Sequence, residues 1–289
     1  MMPEPLFRGV CTALVTPFRR GAVDFDALRR LIARQLDAGV TALLAAGTTG
    51  EASTLTDAEW ELVVACTVEA ARGRAVVLAG TGTNDLRRTL RRARQAEALG
   101  VHAQLVVTPY YNKTTQRGMI DYYTRITEGC GLPLMLYNVP GRTGLDLLPE
   151  TAARLAAHPR VIGIKEAGGS LNRLYALVQT GALPVYCGSD GLNAAALGLG
   201  AAGVISVAAN VCPEAVRALW KAGYPAANGR QKALDPLIGA LFAEVSPAPV
   251  KAALAMLGLC GEEVRSPLVT VEPETRRRLQ AALTQAVGA

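Results

Sequence analysis

Histidine is almost missing: the chain of 289 residues has only two, His102 and His158. A histidine-built metal centre has too few ligands to draw on, and a Ser-His-Asp triad is poorly supported. The six cysteines, at 11, 66, 130, 187, 212 and 260, form no CxxC pair and no tight cluster, and Cys11, Cys187 and Cys260 lie within apolar runs. That is the pattern of reduced core thiols in a cytosolic protein. No uninterrupted apolar run reaches the ~20 residues that a membrane span needs, and Met1 to Arg8 carries no hydrophobic signal segment. A cytoplasmic protein with no membrane partner is expected. Aromatic side chains are not interleaved with the arginines (Arg29, Arg30, Arg87, Arg88, Arg91, Arg92, Arg276 to Arg278), so the net charge of +6 reads as solvated helix faces and no nucleic-acid partner is expected. A positive field of this kind still helps to gather anionic substrates.

What is abundant is apolar sequence. Half of the residues are hydrophobic and 19% are charged, which supports a large core. Short β-leaning runs recur at Gly9 to Val15, Val40 to Ala46, Ala75 to Ala79, Ala103 to Val107, Pro133 to Tyr137, Val161 to Ile164, Pro184 to Cys187 and Gly203 to Val207. Between them lie helical patterns with recognisable ends: Asp24 before Phe25 to Leu36, a Thr56/Glu59 capping box, and Asn84 before Asp85 to Leu99. Further helix starts fall near Thr115, Pro149, Ser170, Asp190 and Pro213. Continuous apolar strands alternating with helices predict a parallel sheet buried on both faces, and eight units favour a closed barrel. The expected class is α/β, a (β/α)8 TIM barrel over residues 1–224. The break at Tyr224 to Gly229 and three later helical patterns, at Arg230 to Ala243, Pro249 to Leu257 and Pro273 to Ala286, predict a small C-terminal helical appendage over 225–289.

In such a barrel the carboxyl ends of the strands carry the chemistry. The sixth run, Val161-Ile162-Gly163-Ile164, ends in Lys165 and then a glycine turn. Taken alone, a lysine there is ordinarily one that snorkels to solvent. Inside a barrel mouth, apolar walls favour the neutral amine, the form that attacks a carbonyl, which makes Lys165 a candidate Schiff-base nucleophile. The second run leads into Gly47-Thr48-Thr49-Gly50-Glu51, which is neither a Walker loop nor a dinucleotide fingerprint. The fourth ends in Tyr110 and Tyr111, the fifth in Tyr137 followed by Arg142 in a glycine-bounded loop, the seventh in Gly188-Ser189-Asp190. A tyrosine can relay a proton and a guanidinium can clamp a carboxylate. Gathered on one face, these groups describe a Schiff-base site for a small anionic carbonyl compound.

The motifs GTTGE (Gly47 to Glu51), TPYYNK (Thr108 to Lys113), YNVPGRTG (Tyr137 to Gly144), IKEAGG (Ile164 to Gly169) and GVISVAAN (Gly203 to Asn210), with the later PVKAAL and LGLCGEEVRSPL stretches, run collinearly through the chain. In this order they resemble the 4-hydroxy-tetrahydrodipicolinate synthase (dihydrodipicolinate synthase) family of the pyruvate-dependent class I aldolases and lyases. The resemblance implies a lyase of lysine and diaminopimelate biosynthesis that condenses pyruvate with L-aspartate 4-semialdehyde. It implies that Lys165 forms the imine with pyruvate, that no separate cofactor is needed, that Tyr137 moves protons, and that Thr48 links it towards Tyr111 reaching in from a neighbouring subunit. Thr49 would hold the pyruvate carboxylate, Arg142 the semialdehyde carboxylate, and Gly188 and Ile205 would line the pyruvate pocket. A homotetramer, a dimer of dimers, is the assembly the family implies.

Two departures stand out. Lysine-inhibited members use an asparagine, a tyrosine and a glutamate at an interface pocket; here Asn84 and Tyr110 match, but Arg88 stands where the glutamate would be, with Asp57 and Trp60 on the helix after GTTGE. A cation at 88 repels the ammonium of lysine, so feedback inhibition is not expected. Ser246 precedes Pro247 where the family usually has asparagine. Two other readings share these residues: a sialic acid or keto-deoxy sugar acid aldolase, disfavoured by Arg142, and a non-catalytic pyruvate-binding or scaffold barrel.

Overall fold

The computed structural model describes residues 2–287. Eight parallel strands close into a barrel: β1 (Gly9–Ala13), β2 (Ala42–Ala45), β3 (Val76–Gly80), β4 (Ala103–Val107), β5 (Leu134–Asn138), β6 (Val161–Glu166), β7 (Val185–Cys187) and β8 (Gly203–Ser206). Each strand pairs with its neighbour in sequence, and β8 closes onto β1 with Gly9 opposite Gly203 and Cys11 opposite Ile205. The expected TIM barrel is therefore the observed fold, with each expected strand found within two residues of its predicted ends. A two-stranded ribbon, Phe18–Arg19 with Ala22–Val23, was not expected.

The helices are α1 (Phe25–Asp37), α2 (Asp57–Ala71), α3 (Leu86–Ala98), α4 (Gln116–Gly129), α5 (Pro140–Thr143), α6 (Pro149–Leu155), α7 (Leu171–Thr180), α8 (Asn193–Gly198), α9 (Pro213–Ala222), α10 (Ala227–Leu241), α11 (Ala248–Met256) and α12 (Pro273–Val287). The caps explain their starts. Asp24 accepts from the Ala27 amide, and Thr56 and Glu59 satisfy each other's backbone as a full capping box. The cap of α3 is Asp85, which accepts from the Arg88 amide, rather than Asn84. The segment after β5, expected as an open loop, holds a helical turn, α5, begun by Pro140 and closed by Gly144 at φ +67°.

Two apolar clusters follow from this layering. One fills the barrel, with Cys11, Ala13, Leu44, Leu78, Leu105, Met135, Tyr137, Tyr186 and Ile205. The other lies between strands and helices, and includes Leu237 of α10, Val250 of α11 and Leu279 of α12, so the C-terminal helices share the barrel's outer core. Arg92, expected on a solvated face, is instead buried over the Trp60 ring, 5.4 Å from its centroid. All six cysteines are free thiols, five buried and Cys260 half-buried. Among the described residues no helix is long and apolar enough to cross a membrane.

Candidate active site

Lys165 is the fifth residue of β6, and the register sets it beside Tyr137 on β5 and Tyr186 on β7. In-register neighbours of a parallel sheet point the same way, so all three side chains enter the barrel. Lys165 is 6% exposed, and its Nζ stands 4.4 Å from the centroid of the Tyr137 ring. The Tyr137 hydroxyl lies 3.5 Å from Thr48 Oγ1, at the outer edge of a hydrogen bond. Such contacts are often long in an empty site and tighten around substrate.

Gly188 makes room for the amine. A Cβ there would sit 2.8 Å from Lys165 Cε and 2.7 Å from the Ala167 Cβ. Burial raises the nearby thiols of Cys11 and Cys187, the latter to about 12, so neither supplies a thiolate to compete with the lysine.

The next residue, Glu166, points the other way and anchors the strand end. It accepts from Asn138 Nδ2 at 2.9 Å and from the Gly168 amide at 2.6 Å, while Asn138 also donates to Asp146, the ion-pair partner of Arg173. Burial raises the Glu166 carboxyl above its ordinary value despite these donors.

A cavity of about 410 Å³ opens over Lys165, walled by Tyr137, Thr48, Thr49, Arg142 and Gly188, by Ile238 of α10 and by Phe242 at that helix's C-cap. A second, of about 290 Å³, lies across the Thr48–Tyr137–Arg142 wall and reaches Tyr110 and Arg92. Thr49 is buried, and Thr48 half-buried. Arg142 is exposed, with Nη2 donating to the Ser246 carbonyl at 3.0 Å. Ile205 lies in the barrel interior, 1% exposed, and Val207 rather than Ile205 meets the cavity.

Tyr111 stands apart. It is 92% exposed, lines neither cavity, and holds φ +69°, a left-handed conformation that a bulky side chain rarely adopts. Within one chain it does not join Tyr137 and Thr48.

Asp190 borders the larger cavity and is fully buried. Its Oδ1 accepts from Ser206 Oγ at 2.5 Å and its Oδ2 from the Val207 and Ala208 amides at 2.9 Å each. Burial raises its carboxyl above the ordinary range, and the donors work against that rise.

At the outer rim, Asn84 and Tyr110 are half-buried, and Asp57 pairs with Arg88 at 3.1 Å, Arg91 at 3.0 Å and Arg92 at 3.5 Å. Desolvation pushes the Asp57 carboxyl up, but Arg88 first, then Arg92 and Arg91, outweigh it and hold the carboxyl below its ordinary value. Among the described residues no three His, Cys, Asp or Glu side chains converge to hold a metal.

The arrangement is a buried primary amine, a phenol stacked beside it, two hydroxyls and a guanidinium around one chamber. Residues 6–286 match the model of the dihydrodipicolinate synthetase family. The chain belongs to that family. It is 43% identical to the 4-hydroxy-tetrahydrodipicolinate synthase of Trichlorobacter lovleyi, over 97% of this chain and 99% of the relative. The crystal structure of dihydrodipicolinate synthase from Thermotoga maritima superposes with a TM-score of 0.95 at 42% identity, covering 98% of this chain and 99% of that one. A chloride-inhibited dihydrodipicolinate synthase from Acinetobacter baumannii, complexed with pyruvate, gives 0.94 at 40% identity, covering 97% and 99%. Ser246 holds Arg142 through its carbonyl, and Ile238 and Phe242 of the appendage wall the chamber. None of these carried a signal in the sequence, since the Ser246 contact is made by a backbone carbonyl.

Proposed function

We propose that the chain is a Schiff-base lyase that condenses pyruvate with L-aspartate 4-semialdehyde to give 4-hydroxy-tetrahydrodipicolinate, a step of lysine and diaminopimelate biosynthesis. The observation that carries this reading is the Lys165 amine, buried at a barrel mouth and 4.4 Å from the Tyr137 ring, in a chamber that also presents Arg142.

The free amine of Lys165 adds to the C2 carbonyl of pyruvate, and loss of water leaves a protonated imine. That imine is the electron sink, so a proton leaves the methyl group and an enamine forms. Tyr137, hydrogen-bonded towards Thr48, carries the protons lost and gained at these steps. Thr49 and its backbone receive the pyruvate carboxylate, and Gly188 shapes that end of the pocket, with Ile205 packed in the barrel interior rather than on the cavity wall. Arg142, held by the Ser246 carbonyl, offers its guanidinium fork to the semialdehyde carboxylate. The enamine carbon attacks the aldehyde; the substrate's own amine then displaces Lys165 and closes the ring. The covalent imine does the work of a cofactor.

Tyr111 belongs, in this reading, to the site of a second copy. Its strained, exposed position supports a second copy beside it, at least a dimer; the assembly proposed is the homotetramer, a dimer of dimers, that the family resemblance implies. Residues 1–224 form the catalytic barrel and 225–289 the appendage of one cytoplasmic enzyme.

The test is a coupled assay with pyruvate and the semialdehyde beside Lys165→Ala, together with borohydride trapping. Turnover that is lost in the variant, with pyruvate-derived mass at Lys165, supports the reading. An active Lys165→Ala variant, or a parent protein that gains no mass, refutes it.

A further inference from the structure

The catalytic loop is tied to the C-terminal appendage by a charge pair that lies outside the reacting groups. Glu51 ends the turn that carries Thr48 and Thr49, and Lys251 sits on α11. Their side chains are 1% and 0% exposed, and Lys251 Nζ donates to Glu51 Oε1 at 2.7 Å. The same ammonium donates to the Thr16 carbonyl at 2.9 Å and stands 4.1 Å from the Phe18 ring centroid. The other Glu51 oxygen accepts from the Arg265 amide at 3.0 Å. Thr16 closes the circle, its hydroxyl donating to the Gly50 carbonyl at 2.7 Å.

The turn needs such a tie. It is entered at Ala46 with φ +48° and left at Glu51 with φ +53°, both left-handed conformations that residues with a Cβ adopt at a cost. Its internal bonds are three: the Gly50 amide to the Gly47 carbonyl and the Glu51 amide to the Thr48 carbonyl, each 3.1 Å, and the Ala52 amide to the Gly47 carbonyl at 3.4 Å. Strained backbone persists where surrounding contacts over-determine it. Two of the contacts here, from Lys251 and Arg265, come from 200 and 214 positions away in sequence. The segment that begins α11 acts on the other wall as well, since Ser246 beside it holds Arg142.

We infer that Glu51 and Lys251 are positioning residues for the pyruvate site: their buried pair, closed through Thr16, fixes the turn that aims Thr48 at Tyr137 and presents Thr49 to the substrate carboxylate. The appendage is thereby a working part of the catalytic face. This rests on the Schiff-base reading of Lys165.

The decisive variant is the double substitution Glu51→Gln with Lys251→Met, because removing one charge alone leaves the other buried and unpaired, whereas replacing both is often close to neutral for stability. The readouts are melting temperature, KM for pyruvate, kcat and borohydride trapping at saturating pyruvate. The expected result is a folded protein that still traps pyruvate on Lys165, with KM for pyruvate raised about tenfold or more, since misplacement by ~1 Å carries penalties up to about 10²-fold. A double variant with the parental KM and kcat overturns the assignment, and shows that the pair acts on stability alone. Should the double variant not fold, Glu51→Asp decides, because it keeps the charge but withdraws the carboxylate by one methylene from Lys251 and the Arg265 amide: a raised KM supports the tie and an unchanged one overturns it. A parent protein that acquires no pyruvate mass brings down both the reading and this inference, whereas a trapping parent beside a variant of unchanged KM brings down the inference alone.

Discussion

Gly188→Ala puts one methyl group into the space that Lys165 occupies. The new Cβ would stand 2.8 Å from Lys165 Cε, 2.7 Å from the Ala167 Cβ and 3.1 Å from the Glu166 carbonyl oxygen. Carbon atoms rest at about 3.5–4.0 Å, so roughly 1 Å must be found. Ala167 and the Glu166 carbonyl belong to the end of β6 and its exit, where Asn138 and the Gly168 amide pin Glu166. The lysine side chain is the softer neighbour and gives way. A displacement of this size at a nucleophile costs on the order of 10²-fold, which corresponds to about 2.7 kcal/mol of barrier. Overpacking adds a stability loss of about 1–3 kcal/mol. Steady-state turnover of the variant should therefore fall about a hundredfold in kcat/KM, borohydride trapping should slow in parallel, and the fold should survive with a lowered melting temperature. If Gly188→Ala traps pyruvate and turns over at the parental rate, the space beside Gly188 is not where the amine works, and the placement of the chemistry on this side of the barrel is wrong.

Tyr137→Phe keeps the ring beside Lys165 and removes the proton carrier; turnover should drop by about 10²- to 10⁴-fold, with trapping on Lys165 still detectable by mass spectrometry. Glu59 gives an acid-stability signature. The hydrogen bond from Arg265, followed by the Thr56 amide, lowers its carboxyl from 4.5 to about 2. Its folded value lies below its unfolded one, so the stabilisation is present above about pH 4.5 and is lost as pH falls towards 2. At 24% side-chain exposure the gap amounts to on the order of 2–3 kcal/mol. Denaturant titrations should show Glu59→Gln destabilised at about pH 6 and level with the parent near about pH 2; equal losses at both would refute the linkage. L-Lysine should leave turnover unchanged in an inhibition titration, because Arg88, Arg91 and Arg92 surround the single carboxylate of Asp57 at that rim. Strong inhibition would show that Arg88 does not govern the pocket.

Much of the barrel was legible because its signals are local. An apolar run of four to six residues, a capping box at Thr56 or a proline at the start of α9 acts within one element, and the structure keeps each of them. The strand ends also named six of the groups around the larger cavity: Lys165, Tyr137, Thr48, Thr49, Arg142 and Gly188. Where the sequence misled, a neighbour in space had taken over. Arg92 lies on a helix whose polar pattern reads as solvated, yet Trp60 and Asp57 draw it inward.

The chain's own letters determined that eight buried strands would alternate with helices and that a lysine would stand at the end of the sixth, since periodicity and chain connectivity suffice for both. Only closure of the barrel decided that Lys165 and Tyr137 share a side, because strand register is a property of pairing rather than of either strand. Only the tertiary structure brought Lys251 to Glu51 and the Ser246 carbonyl to Arg142, contacts that span 200 and 104 positions. A charge in sequence carries no record of its partner. Burial selects that partner, since a charge withdrawn from water must be met by one of opposite sign or by well-placed donors and acceptors.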